Sequence, residues 1–264
     1  MNFAVLDYDG FICKSFFAAQ REEEHAEIIL SDLIDYALDK AKDYFDGEEF
    51  KAFLIVSGHS WKKDLYPDYK KNREKDPYVG AYRNYIIDTT MNIYEPATLE
   101  ADELCIMIHD YAVEHGHRCI VFSDDKDLRY SSLVNCKINL TEQTDITYDE
   151  RYLYQQMLAG DKEDDIQGIK NIGMKKAEKL LDENGYNIEG VIKTYIDKEV
   201  PREECIKQLN LVIPMKREFN SKPHCYDEVC RKLIKSGKLD EFMIKQVQIG
   251  QVEYLKNITE AMYG

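Results

Sequence analysis

The chain lacks any apolar run near the roughly 20 residues needed to span a bilayer, which leaves no expected membrane helix. Its seven cysteines (Cys13, Cys105, Cys119, Cys136, Cys205, Cys225 and Cys230) contain no C-x-x-C pair and no zinc-ligand spacing. They read as reduced thiols of a cytosolic protein. The opening Asn2-Phe3-Ala4-Val5-Leu6 carries no basic signal-peptide start, which points the same way. No Gly-x-Ser-x-Gly elbow is present, Ser57 has no evident histidine partner, and His109, His115 and His117 have no carboxylate pattern for zinc. There is no internal repeat and no low-complexity linker. Positive charge is also scarce: the net charge is −15, which by itself argues against nucleic acid.

Charge distribution outweighs the sum. Residues 62–75 hold six basic residues against three acidic, and residues 170–179 hold four against one. Two basic patches on an acidic body suit a protein that grips phosphates at chosen places. The acidic residues are clumped too, as Asp7-Tyr8-Asp9, Glu100-Ala101-Asp102-Glu103, Asp124-Asp125-Lys126-Asp127 and Asp161-Lys162-Glu163-Asp164-Asp165, with a weaker run from Asp145 to Glu150. Most of these flank apolar runs. Two carboxylates about 4 Å apart repel by roughly 4 kcal/mol at an effective dielectric of 20. Gathering several on one edge calls for a strong cation, and oxygen-only ligation suits a divalent metal.

Apolar runs at residues 3–7, 52–56 and 118–123 read as buried strands, with a further strand near Val134 to Leu140. Between them, residues 14–46 predict a crossover helix or helix pair, and residues 98–114 a second helix. That alternation predicts an α/β fold with a parallel sheet. Asp9 is expected on the same side as Asp7 if the extended geometry continues. After about residue 150 the pattern is helical, over 149–158, 175–183, 188–197, 202–219, 224–235 and 238–248. The expected organisation is a sheet domain over residues 1–150 and a helical region over 151–264. In the latter, Gly173 opens a helix whose N–H groups, with Lys175 and Lys176, can take a DNA phosphate.

These motifs, in this order and spacing, resemble the structure-specific 5′-nucleases, the flap endonuclease and 5′→3′ exonuclease superfamily. The bacteriophage members, including the phage ribonuclease H type, are the nearest subgroup. The segment from Trp61 to Arg73 resembles that family's helical arch, with its tyrosine-lysine-x-asparagine-arginine signature. The resemblance covers about residues 1–185 and implies a PIN-like nuclease domain, an arch near residues 60–95, and a helix–three-turn–helix over about 155–184. It implies two Mg²⁺ or Mn²⁺ ions. Asp7, Glu100, Asp102 and Asp125 would hold one, and Glu103, Asp127, Asp161 and Asp164 would serve the second. Lys70, Arg73 and Lys14 would contact the scissile phosphate. Lys62, Lys63, Tyr69, Lys71, Gly168, Gly173, Lys175 and Lys176 would bind DNA, with a K⁺ ion at the glycine turn.

The expected substrate is DNA with 5′ flaps, nicks or ends, or an RNA–DNA hybrid such as a primer. The expected setting is a monomer in a bacterial cytoplasm, host cytoplasm if phage-encoded, beside replication proteins. One departure stands out. Where the family carries an aspartate after its second strand, this chain reads Val56-Ser57-Gly58. Two other readings stay open: a catalytically impaired binder of branched DNA, and a PIN-type ribonuclease of single strands.

Overall fold

Strand β1 is buried at every position because both faces of its sheet are covered. The structure, a computed structural model, describes residues 1–73, 76–130, 135–136, 150–236 and 239–264. The acidic residues from 145 to 149, Lys75, and most of the strand expected near 134–140 lie outside the described residues. Among the described residues the strands are β1 (Asn2–Asp7), β2 (Phe50–Ile55), β3 (Ile93–Tyr94), β4 (Arg118–Phe122) and β5 (Asn135–Cys136). They form one parallel sheet in the order β3-β2-β1-β4-β5. The chain builds outward from β1 in one direction and then returns to build in the other. The switch point lies between β1 and β4, where open α/β sheets place their ligands, beyond the carboxyl ends.

Alternation along β1 assigns the two layers. Ala4 and Leu6 pack with helices α1 (Tyr8–Glu22) and α2 (Ala26–Tyr44). Phe3 and Val5 pack with the helix over Ala101–Glu114. Helix α1 starts immediately at Tyr8, so Asp9 lies in a first helical turn. That corrects the expected extended continuation. Beyond β2 come α3 (Trp61–Leu65) and α4 (Pro77–Thr89), the latter capped by Asp76, whose side chain accepts the Tyr78 and Val79 N–H groups. Helix α5 (Ala101–Glu114) follows.

The helical part comprises α6 (Glu150–Ala159), α7 (Met174–Asn184), α8 (Ile188–Asp197), α9 (Arg202–Val212), α10 (Pro223–Ser236) and α11 (Glu241–Tyr263). The helix expected over 202–219 is interrupted. Pro214 lacks an N–H and forces Ile213 into an extended conformation, and only a 3-10 turn at Arg217–Phe219 follows. Helix α11 runs well past the expected residue 248 and through Gly250. A Cβ there would come within 2.3 Å of the Asn220 Oδ1 atom. Asn220 needs that approach, because its amide donates to the Val247 carbonyl at 2.6 Å.

The chain divides into two compact units. The sheet unit comprises Met1–His59, Glu74–Tyr148 and Val229–Asp240, and the helical unit comprises Ser60–Arg73, Asp149–Glu228 and Glu241–Gly264. This division differs from the expected single boundary at residue 150 by one excursion each way. Ser60–Arg73 joins the helical unit through its pairs with Asp164 and Asp165, whereas Leu233 packs in the sheet core.

Candidate functional site: an acidic edge and a latched basic segment

In the sheet unit, parallel pairing brings Asp7 level with Ile55 and sets Leu6 beside Phe122, so β1, β2 and β4 end together. Asp7 is buried, and Ser123 Oγ donates to its Oδ2 at 2.7 Å. Burial pushes its carboxyl up to about 7. The Ser123 hydrogen bond opposes the rise, while the charges of Asp125 and Asp9 add to it. Ser123 also accepts the Asp125 N–H at 3.0 Å, and Asp125 Oδ1 accepts the Asp127 N–H at 2.8 Å. One serine thus sets both carboxylates on either side of the switch point.

Helix α5 presents the second acidic group. Glu100 is its N-cap, and the Glu103 carboxylate reaches back to accept the Glu100 N–H at 3.3 Å in a capping box. Glu103 is fully buried in that role. It is therefore a structural cap as well as an expected second-metal residue. Asp102 Oδ1 accepts the Glu103 N–H at 2.9 Å. Burial first, then the charges of Asp7, Asp102 and Asp125 among others, drive the Cys105 thiol well above its usual range. Lys14 on α1 pairs with Asp124 at 3.1 Å.

Among the described residues, no three histidine, cysteine or acidic side chains already stand as a metal-holding group. The donor chemistry nevertheless fits a hard cation. The groups are carboxylates, and one of them is buried with too little compensating positive charge. Mg²⁺ ordinarily takes only one or two carboxylates and fills the remainder with water and substrate phosphate oxygens, so an open set suits it.

In the helical unit the arch signature is packed down. Lys70 Nζ lies 3.4 Å from Asp164 Oδ2, and Arg73 approaches Asp164 Oδ1 at 3.9 Å. The Asn72 backbone and amide both donate to Asp165 at 2.8 Å. Tyr69 is buried with its hydroxyl 3.4 Å from Asp164, and Lys62 is buried with its ammonium 5.6 Å from the Tyr69 ring centre. Lys62 and Tyr69, expected to touch DNA, pack against each other inside the unit. An ammonium over an aromatic face with its stem buried explains the placement. Lys63 is half-buried, and Lys71 pairs with Asp68 at 3.0 Å.

Asp161 is buried in the turn after α6, accepting from Gln156 at 2.9 Å and from the Glu163 N–H at 2.8 Å. It and Asp164 thus have partners within the helical unit. Gly168 has a φ of +63°, and a Cβ there would meet the Ala159 backbone at 2.3 Å. Gly173 caps α7 in an open setting, and Lys175 and Lys176 are exposed on the first turn. A cleft of about 780 Å³ in this unit is lined by Lys71, Asn72, Lys162, Asp165 and Gly173. It belongs to the basic segment and not to the carboxylates of the sheet edge.

Residues 2–158 match the family of the 5′-3′ exonuclease N-terminal, resolvase-like domain. The chain belongs to that family. Flap endonuclease Xni of Shewanella denitrificans is 35% identical over 141 residues, covering 46% of this chain and 54% of the relative. DNA polymerase I of Borreliella burgdorferi is 28% identical over 158 residues, covering 52% of this chain and 17% of the polymerase. The chain therefore spans about half of the former relative and a smaller part of the latter.

Among solved structures, the flap endonuclease of bacteriophage T5 in a complex with DNA and metal ions overlays with a TM-score of 0.61 at 16% identity. It covers 95% of this chain and 100% of that one. T5 5′-exonuclease with bound zinc overlays at 0.60 and 14% identity, over 97% of this chain and 100% of that chain. At such identity the overlays establish a shared fold over nearly the whole chain, while the family match itself covers residues 2–158. Sequence reasoning missed Arg83 and the Asn72–Asp165 clamp, and it set Ser123 at the head of an acidic clump without giving it a role. Ser123 had a signal, since it directly precedes an acidic clump at a strand end. Arg83 had none, being 74 residues from its partner Asp9.

Proposed function

We propose that the protein is a divalent-metal-dependent 5′-nuclease that hydrolyses phosphodiester bonds at flaps, nicks or 5′ ends of DNA, including RNA primers paired to DNA. The observation that carries this reading is the buried, charge-strained Asp7 at the switch point of the sheet, crowded by Asp125 and flanked by the acidic N-terminus of α5. Mg²⁺ or Mn²⁺ bound there would supply a more acidic water and offset charge on the phosphate. Asp7, Glu100, Asp102 and Asp125 would hold it.

The chain's own contributions are electrostatic and positional. Lys70 and Arg73 would exchange their pairing with Asp164 for the scissile phosphate. Lys14 would do the same from Asp124. Lys175, Lys176 and the N–H groups of the Gly173 turn would hold duplex backbone without reading sequence. Asp161 and Gly168 would keep that turn in shape.

The test is a panel of labelled 5′-flap, nicked-duplex and single-stranded DNA and RNA substrates, with and without Mg²⁺. Metal-dependent release from flaps or nicks that Asp125→Asn abolishes supports the reading. Tight flap binding without cleavage selects the impaired binder, and cleavage confined to single-stranded RNA selects the ribonuclease.

A further inference from the structure

An arginine from α4 closes the corner of the acidic edge next to β2. Arg83 Nε donates to Asp9 Oδ1 at 2.6 Å, and Arg83 Nη2 donates to the Ser57 carbonyl at 2.7 Å. The Ser57 N–H in turn donates to Asp9 Oδ2 at 2.7 Å, completing a ring of three short hydrogen bonds. Ser57 Oγ accepts the Ala101 N–H at 3.0 Å, the first N–H of α5. One guanidinium therefore ties together α4, the first turn of α1, the end of β2 and the helix that bears Glu100 and Asp102. The side chains of Arg83 and Asp9 are only about a quarter exposed, at 26% and 24%, so the pair escapes most of the screening that weakens surface ion pairs. Glu95 is the competing acid, 3.9 Å from the Arg83 Nη2 atom.

We propose that Arg83 is a positioning residue that has taken over this corner of the site. Ser57 stands where the resemblance leads one to expect an aspartate. The structure gives that serine a helix-capping task and puts a short hydrogen bond on each oxygen of the nearby acid, Asp9. Arg83 keeps Asp9 out of metal coordination and holds the α5 N-terminus in register. This rests on the nuclease reading. It has a consequence that a merely structural ion pair would not have: removing the guanidinium takes away a positive charge and releases a carboxylate, so the site should bind a divalent cation more tightly while cutting more slowly.

The experiment compares the full chain with Arg83→Gln, Arg83→Lys and Arg83→Gln/Asp9→Asn. Mn²⁺ affinity is measured calorimetrically without DNA, and single-turnover cleavage of 5′-flap DNA is measured at saturating Mg²⁺. Arg83→Gln is expected to bind Mn²⁺ about tenfold more tightly, equivalent to about 1.4 kcal/mol, and to cleave at least tenfold more slowly. The double variant is expected to lose the tighter binding. Arg83→Lys retains charge without the two-pronged geometry, so it should bind Mn²⁺ like the parent and still cut slowly.

Unchanged or weaker Mn²⁺ binding by Arg83→Gln overturns the proposal, as does tighter binding that persists in the double variant. Should Arg83→Gln fail to fold, Arg83→Lys decides, because parental cleavage by that variant also overturns it. A parent that binds Mn²⁺ but cuts no substrate overturns the nuclease reading alone, since the affinity comparison stands without cleavage.

Discussion

Replacing Asp7 by asparagine should make the metal-free protein more stable, and increasingly so as pH rises. The folded-state carboxyl lies near 7 against an ordinary value of 3.8, chiefly because it is buried. A raised acid means that the folded chain binds the proton more tightly than the unfolded chain does. Stability therefore falls as pH rises from about 4 to about 7, and the full penalty is present above that window. Roughly three pK steps at 1.36 kcal/mol each set a ceiling of about 4 kcal/mol at pH 8, and less than half of that at pH 5. Asparagine keeps the acceptor for Ser123 Oγ and removes the charge, but its amide hydrogens need partners, so about half the ceiling is expected. The assay is thermal unfolding of chelator-treated wild type and Asp7→Asn at pH 5 and pH 8. For a chain of this size, the melting-temperature advantage of the variant should grow by a few degrees between the two. Adding Mg²⁺ should reverse the order, because a cation that binds only the folded state stabilises the parent by mass action and the variant much less. An Asp7→Asn variant that is less stable by the same amount at both pH values would refute the charge-strain argument.

Asp102→Asn and Asp125→Asn should each lower flap cleavage by at least a hundredfold while leaving flap binding within a few-fold, since neither is expected to touch phosphate directly; gel-shift and single-turnover assays check this. Lys70→Ala should depress the single-turnover rate far more than affinity, whereas Lys175→Ala or Lys176→Ala should weaken binding and reduce its salt slope by about one; equal effects on both quantities for all three would show the roles misassigned. Ser57→Ala should cost about 1 kcal/mol in urea unfolding, because it removes the acceptor of the Ala101 N–H, while Ser57→Asp should retain that stability. Gly168→Ala should destabilise the helical unit by 2 kcal/mol or more, about the combined cost of a left-handed backbone and a backbone clash, and a melt within half a degree of wild type would contradict it.

The parallel α/β class was legible because three short apolar runs alternate with helical periodicity, and that pattern follows from burying both faces of a sheet. The acidic clumps were legible because like charges gathered at strand ends need an external reason. The helix–turn–helix around Gly168 and Gly173 was legible because glycine spacing carries backbone information locally. Local rules failed where long-range packing decided. Helix α11 runs through Gly250 because Asn220 needs the space, a requirement set 30 residues away. Ser57 looked like a lost ligand in sequence, yet it caps α5 and donates to Asp9, a role that exists only once β2, α1 and α5 meet. Lys62 and Tyr69, expected from the basic segment to bind DNA, are buried against each other. Sequence by itself determined which chemistry the chain can carry, because residue types and strand-end positions are local. Tertiary structure decided which of those groups are already spoken for, because hydrogen bonds and burial depend on partners that the chain brings together only by folding.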